Sequence, residues 1–196
     1  MLNEIVFDIE TQNTFAEVDN DFKKFKISCV SIYQYVTDTY TSFAENELNK
    51  LWPILEKADR IIGYNSEHFD LPILHNYYLG DLSVINHLDI MKKVKESVGI
   101  RLKLNDIAMA TLDIEKSADG LQAIKWWKEG KIDEIKKYCE QDVKVTKEIY
   151  DFGKANKQLF YKSLVGEITP FAVNFDFGGA NAAASAKKNI NLTLPF

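Results

Sequence analysis

Only two cysteines, Cys29 and Cys139, occur in the 196 residues, each inside an apolar stretch. That is too few for a disulfide framework, and a reduced, cytoplasmic setting is the expectation. Long hydrophobic runs are missing as well. None approaches the ~18 residues that cross a bilayer, and the first residues read as a working strand in place of a basic and apolar leader; no export and no membrane partner are expected. An excess of positive charge is also absent. Net charge is -5, which excludes a protein that coats nucleic acid by bulk electrostatics but not a nuclease whose carboxylates are offset by metal. No internal repeat is visible, and the only low-complexity tract is a short one near the C-terminus.

What is present is an ordinary core-forming composition, 46% hydrophobic and 12% aromatic, enough for one domain with a small appendage. The stretch Ile5-Val6-Phe7-Asp8-Ile9-Glu10-Thr11 alternates at the two-residue period of a strand, so Asp8 and Glu10 share one face. A buried strand holds two like charges side by side only when a cation or hydrogen-bond donors compensate them, and metal is the expectation.

Further along, Gln12 to Lys26 reads as a loop over a site, and Ile27–Tyr35 with Thr39–Phe43 as an antiparallel meander. Glu45–Lys57 has helical spacing weakened at Pro53. Strand Ile61–Tyr64 runs into a helix over Leu71–Leu79, placing Asp70 at a strand end and a helix start. A fifth short strand (His87–Ile90) follows, then helices over Met91–Ser97, Leu104–Leu112 and Leu121–Trp127. The strongest helix spans about Ile132–Lys154, where Tyr138 and Asp142, four apart, project from one face. This order indicates an α/β fold, a mixed β-sheet flanked by helices, over residues 1–155. Residues 156–178 read as a β-hairpin turning at Gly166, and 179–196 as a flexible tail.

Three stretches, Phe7-Asp8-Ile9-Glu10-Thr11, Tyr64-Asn65 to Phe69-Asp70 with Pro72, and Tyr138-x-x-x-Asp142, together resemble the motifs of DnaQ-like (RNase H-like) 3′-to-5′ exonucleases. The tyrosine marks the DEDDy subclass, similar to the proofreading domain of family B DNA polymerases and to stand-alone bacterial relatives. Lys137 stands where the sister subclass has histidine. The resemblance covers roughly residues 4–155. It implies two divalent ions, Mg²⁺ or Mn²⁺, held by Asp8, Glu10, Asp70 and Asp142, with Tyr138 orienting the attacking water. It further implies Thr11, Phe15, Asn65 and Phe69 near the 3′-terminal nucleotide, Phe15 by stacking. The implied activity is phosphodiester hydrolysis from the 3′ end of single-stranded or frayed DNA. Trimming of RNA 3′ ends, and a non-catalytic nucleic-acid-binding module of a repair or mobile-element complex, are the alternatives.

Each residue alone also has a plainer reading. Asp70 serves as a helix cap, Phe69 and the cysteines as core, and His68 as a surface histidine. Trp126-Trp127 is either a stacking platform or a hydrophobic clasp, the clasp preferred for at least one. Lys92, Lys93, Lys95, Arg101 and Lys103 form either a backbone path for a single strand or a solvated helix face. The tail closes with Asn191-Leu192-Thr193-Leu194-Pro195-Phe196, which resembles the peptide by which bacterial proteins dock on the sliding clamp, with Asn191 in place of glutamine. A C-terminal edge strand is the competing reading.

Overall fold

The structure, a computed structural model, describes residues 2–114 and 120–176. Its centre is β1 (Glu4–Thr11), in the middle of a five-stranded sheet. On one side β1 pairs antiparallel with β2 (Ile27–Gln34), and β2 with β3 (Thr39–Ala44). On the other side it pairs in parallel with β4 (Arg60–Gly63), and β4 with β5 (His87–Asp89). The sheet is therefore mixed, in the order β3-β2-β1-β4-β5. The alternation in the sequence divides β1 between two cores. Ile5, Phe7 and Ile9 join Val18, Phe25, Leu51, Ile73 and Leu74 on one face. Val6 joins Ile62, Leu88, Val143, Ile149 and Tyr150 on the other, which puts Asp8 and Glu10 on the face covered by α6 (Ile132–Asn156).

Two helices differ from their expected form. Glu45–Lys50 is a 3₁₀ segment, and α1 (Trp52–Leu55) begins anew with Pro53 in its first turn. Proline lacks an N–H, so it starts a helix here instead of bending a long one. The next helix, α2, spans Asp70–Leu74 and stops short of Leu79. Its following tyrosines are drawn into packing: the Tyr77 hydroxyl donates to Glu45 and accepts the Ile27 N–H, and Tyr78 donates to Glu56.

Later elements follow the sequence pattern closely: α3 (Ile90–Val98), α4 (Leu104–Leu112), α5 (Gly120–Lys128), and the hairpin β6 (Gln158–Lys162) and β7 (Ile168–Ala172). Gly166 turns the hairpin at φ 88°, a conformation that favours glycine. The second strand is shorter than its alternation implies. Val173 and Phe175 lie beyond its end but are buried, packed in the α6-side core. Phe177 and the tail, with both the clamp-peptide and edge-strand readings of Asn191 to Phe196, lie outside the described residues. Among those residues no helix is long and apolar enough to cross a membrane.

The start of β1 is tied down by a buried charge network. Glu4 accepts from Arg60 (Nε at 3.0 Å, Nη2 at 2.7 Å), from the Tyr150 hydroxyl at 2.8 Å and from Lys154 at 2.7 Å. Arg60 also donates to the Phe175 carbonyl at 2.9 Å. Burial alone would raise the Glu4 carboxyl, but the bonds from Lys154 and Tyr150 and the Arg60 charge outweigh it and hold it below its ordinary value. Removing one partner of a buried pair costs about 3–5 kcal/mol, and that is the loss expected for Glu4→Ala in urea denaturation. Because the folded-state pKa is lowered, the Glu4 contribution is present above the unfolded value of 4.5 and is lost as pH falls below it. The difference between wild type and variant should therefore shrink in acid; a constant difference would contradict the assignment.

Candidate metal centre and its surroundings

The C-terminal half of β1 and the N-terminal half of α6 meet at three carboxylates. Asp8, Glu10 and Asp142 each offer an oxygen, and these oxygens lie within 4.8 Å of one another. Glu10 and Asp142 are buried and Asp8 is half-buried. Beside Glu10 the register with β2 shifts, so that Glu10 faces Cys29 while Thr11 faces Ile27. Such a bulge re-aims neighbouring side chains and ends regular pairing.

One turn before Asp142 on α6, Tyr138 is buried against the same group, with the Trp126 ring centroid 6.1 Å from its own. Burial, then the charges of Asp142, Glu10 and Asp8, pushes its phenol above the ordinary value. A phenol shifted in this direction stays protonated at neutral pH. Next to it, Cys139 is fully buried, and its Sγ lies 3.3 Å from the Asp8 carbonyl and 3.6 Å from Asp8 Oδ2. Burial, the adjacent Cys29 thiol and the Asp8 charge raise the Cys139 thiol well above its usual range, so it holds Asp8 as an S–H donor. Its apolar setting in the sequence suggests only a core residue; the contact with Asp8, 131 positions away, has no local signal.

Asp70 reaches β1 from the side of β4. The β1–β4 pairing runs to Val6↔Ile62, and further along the strand the Ile9 N–H donates to Asp70 Oδ1 at 3.2 Å. Asp70 is thus bonded between Asp8 and Glu10 along the chain, although it is not among the three clustered carboxylates. Burial, with the Asp89 charge, raises its carboxyl to about 7 against the bonds that lower it.

The remaining candidates lie around this end of β1. Phe15, 44% exposed, heads a cluster with Phe22, Phe25 and Phe69, its centroid 5.0–5.9 Å from theirs. Phe69 is partly buried against the core, and exposed His68 rests on the Phe22 ring. The Thr11 hydroxyl donates within its turn to the Asn13 carbonyl. Asn65 sits at φ 62°. Trp126 and Trp127 both pack partly buried on Cys29, Ile135 and Cys139, the clasp arrangement. Within the lysine-rich stretch Lys92 pairs with Glu67 and Lys93 with Glu96, as on a solvated helix face.

The family model of the RNase H superfamily matches residues 5–152. The chain belongs to that superfamily. Its members share a fold that generally hydrolyses phosphodiesters, and the three clustered carboxylates sit where the sheet and last helix of this superfamily domain converge. Among solved structures, the family B DNA polymerase of the hyperthermophilic archaeon Pyrobaculum calidifontis is similar, with a TM-score of 0.61 and 16% identity over 78% of this chain. The match spans 24% of that polymerase, about a quarter of its length. No curated protein matches the sequence.

The donor set fits a hard divalent cation, since all three clustered ligands are carboxylate oxygens. Asp70 gives a direct test of the electrostatics. Its folded-state pKa of about 7 stands above the ordinary 3.8, so the folded chain holds that proton more tightly than the unfolded one. Without metal, stability should therefore fall as pH rises through that window. The neutral isostere Asp70→Asn keeps the acceptor for Ile9 and should be about 2–4 kcal/mol more stable than wild type at about pH 8 in chelator, with little difference below about pH 4. Urea denaturation at the two pH values measures it, and a pH-independent difference would rule the assignment out.

Proposed function

We propose that this RNase H superfamily chain is a metal-dependent 3′-to-5′ exonuclease of the tyrosine (DEDDy) type of DnaQ-like enzymes, acting on single-stranded or frayed DNA. The observation that carries the reading is the meeting of Tyr138 and Asp142, one turn apart on α6, with Asp8 and Glu10 of β1. Asp8, Glu10 and Asp142 would hold Mg²⁺ or Mn²⁺, with Asp70 completing the ligand set for a pair of ions. When bound, such ions lower the pKa of water and neutralise charge developing on phosphate oxygens.

The chain's own residues supply the rest. Tyr138, kept protonated by its surroundings, donates a hydrogen bond that orients the attacking water. The Cys139 thiol fixes Asp8. Phe15 offers an exposed ring for the terminal base, with Phe69 behind it, a contact tolerant of sequence because every base has a π-face. Asn65 and Thr11, at the same end of β1, would meet the terminal nucleotide. DNA is preferred over RNA because the motifs resemble polymerase proofreading and the fold is similar to a DNA polymerase domain.

Digestion of 5′-labelled single-stranded DNA and RNA of equal sequence, with Mg²⁺ or Mn²⁺, tests the proposal. A ladder shortening from the 3′ end is expected, with DNA the faster substrate. Asp8→Ala and Asp142→Ala should each abolish it, a loss of roughly a thousandfold or more if several kcal/mol of charge stabilisation go with the ions. Tyr138→Phe should lower the rate roughly a hundredfold while leaving metal binding intact. Cleavage that survives Asp8→Ala, or a folded wild type inert with both metals on both polymers, would refute it.

A further inference from the structure

We propose that Asp89, seconded by His87, is the positioning residue that holds Asp70 beside the carboxylate cluster; its effects on rate and on metal binding both rest on the reading in which Asp70 completes the ligand set. Between the end of β4 at Gly63 and the start of α2 at Asp70 the chain reverses through a tight turn. Asn65 takes a left-handed conformation there, at φ 62°, which asparagine adopts more readily than most residues. Ser66 packs so closely that a Cβ on Gly63 would lie 2.3 Å from its Oγ.

The groups that hold this turn come from β5. Asp89 Oδ1 accepts the Asn65 N–H at 2.9 Å, and Oδ2 accepts the Glu67 N–H at 3.0 Å. His87, two residues earlier and on the same face of the strand, has its Nε2 2.8 Å from Ser66 Oγ. Asp89 is 7% exposed and pairs in register with Gly63, so it stands beside the residue from which the turn departs. The clamped residues then launch α2: the Asn65 carbonyl accepts the Phe69 N–H at 3.1 Å, and the Ser66 carbonyl accepts the Leu71 N–H at 2.9 Å. Asp70 lies between those two bonds. Any slip of the turn is therefore transmitted to the carboxyl that bonds Ile9 at 3.2 Å.

Asp89 also caps α3, with Oδ1 accepting the Lys92 N–H at 3.3 Å. The turn and the cap share Oδ1, which accepts from both Asn65 and Lys92, while Oδ2 serves the turn alone through Glu67. Asparagine and serine cap helices as well as aspartate does, so Asp89→Asn and Asp89→Ser keep the cap of α3 and lose the second acceptor for the turn.

The test uses the full chain, with circular dichroism and thermal unfolding to establish that the variants fold. On a 5′-labelled single-stranded DNA oligonucleotide, kcat should fall roughly 10–100-fold in both variants, the usual effect of removing a group that orients a metal ligand. KM should stay within about twofold, as expected when ground-state binding is untouched. Mn²⁺ affinity followed by electron paramagnetic resonance should weaken roughly tenfold. His87→Gln leaves every Asp89 bond in place and should change kcat and Mn²⁺ affinity in the same direction to a smaller degree; it carries the test if the Asp89 variants do not fold. Folded variants that cleave and bind Mn²⁺ like wild type overturn the proposal, as does a rise in KM at unchanged kcat. Should wild type cleave neither DNA nor RNA, the exonuclease reading fails by itself, and the Mn²⁺ affinities alone decide the positioning role.

Discussion

Three carboxylates whose oxygens lie within 4.8 Å of one another set the constraint on which this fold depends. At that spacing each pair of charges repels by roughly 3 kcal/mol even at an effective dielectric of 20. The backbone that presents them must therefore be held by stabilisation gained elsewhere. β1 meets that need by its position: it is the middle strand, hydrogen-bonded on both edges and covered on both faces. Its two ends are built in opposite ways. At the start, Glu4 is enclosed by Arg60, Tyr150 and Lys154 within the protein. At the far end the carboxylates converge on a point that a divalent cation fits.

α6 divides its work by helical phase. Val143, Ile149 and Tyr150 anchor it to the sheet, while Tyr138, Cys139 and Asp142 meet the end of β1. Because the same rigid helix packs the core and delivers three site residues, the site's geometry is fixed by core packing. Asp70 is different. It comes from a five-residue helix behind a tight turn, and that turn is held by hydrogen bonds from β5.

Much of this was legible in the residues. The two-residue alternation of Ile5 to Glu10 told which face of β1 the acids occupy, since a strand permits only two. The long periodic stripe located α6 and, with it, the four-residue spacing of Tyr138 and Asp142. The helix over Leu104–Leu112 appears with the same bounds. Local pattern failed where distant partners take over. The helical spacing of Leu71–Leu79 gives way because the Tyr77 hydroxyl joins Glu45 and the Ile27 N–H, and no window around Tyr77 contains either. Phe171, Val173 and Phe175 alternate as a strand does, yet β7 stops at Ala172 while Val173 and Phe175 continue into the core.

The sequence by itself determined the central strand, the placement of Asp8 and Glu10 on one face, and the order of strands and helices. These follow from periodicity and side-chain type, which are local. Only the tertiary structure decided that Asp142 closes on Asp8 and Glu10, that Cys139 donates to Asp8, and that Asp70 reaches β1 through a turn clamped by Asp89 and His87. Those relations join residues 21 to more than 130 positions apart, and their distances are set by how the sheet and α6 pack, which no local pattern encodes.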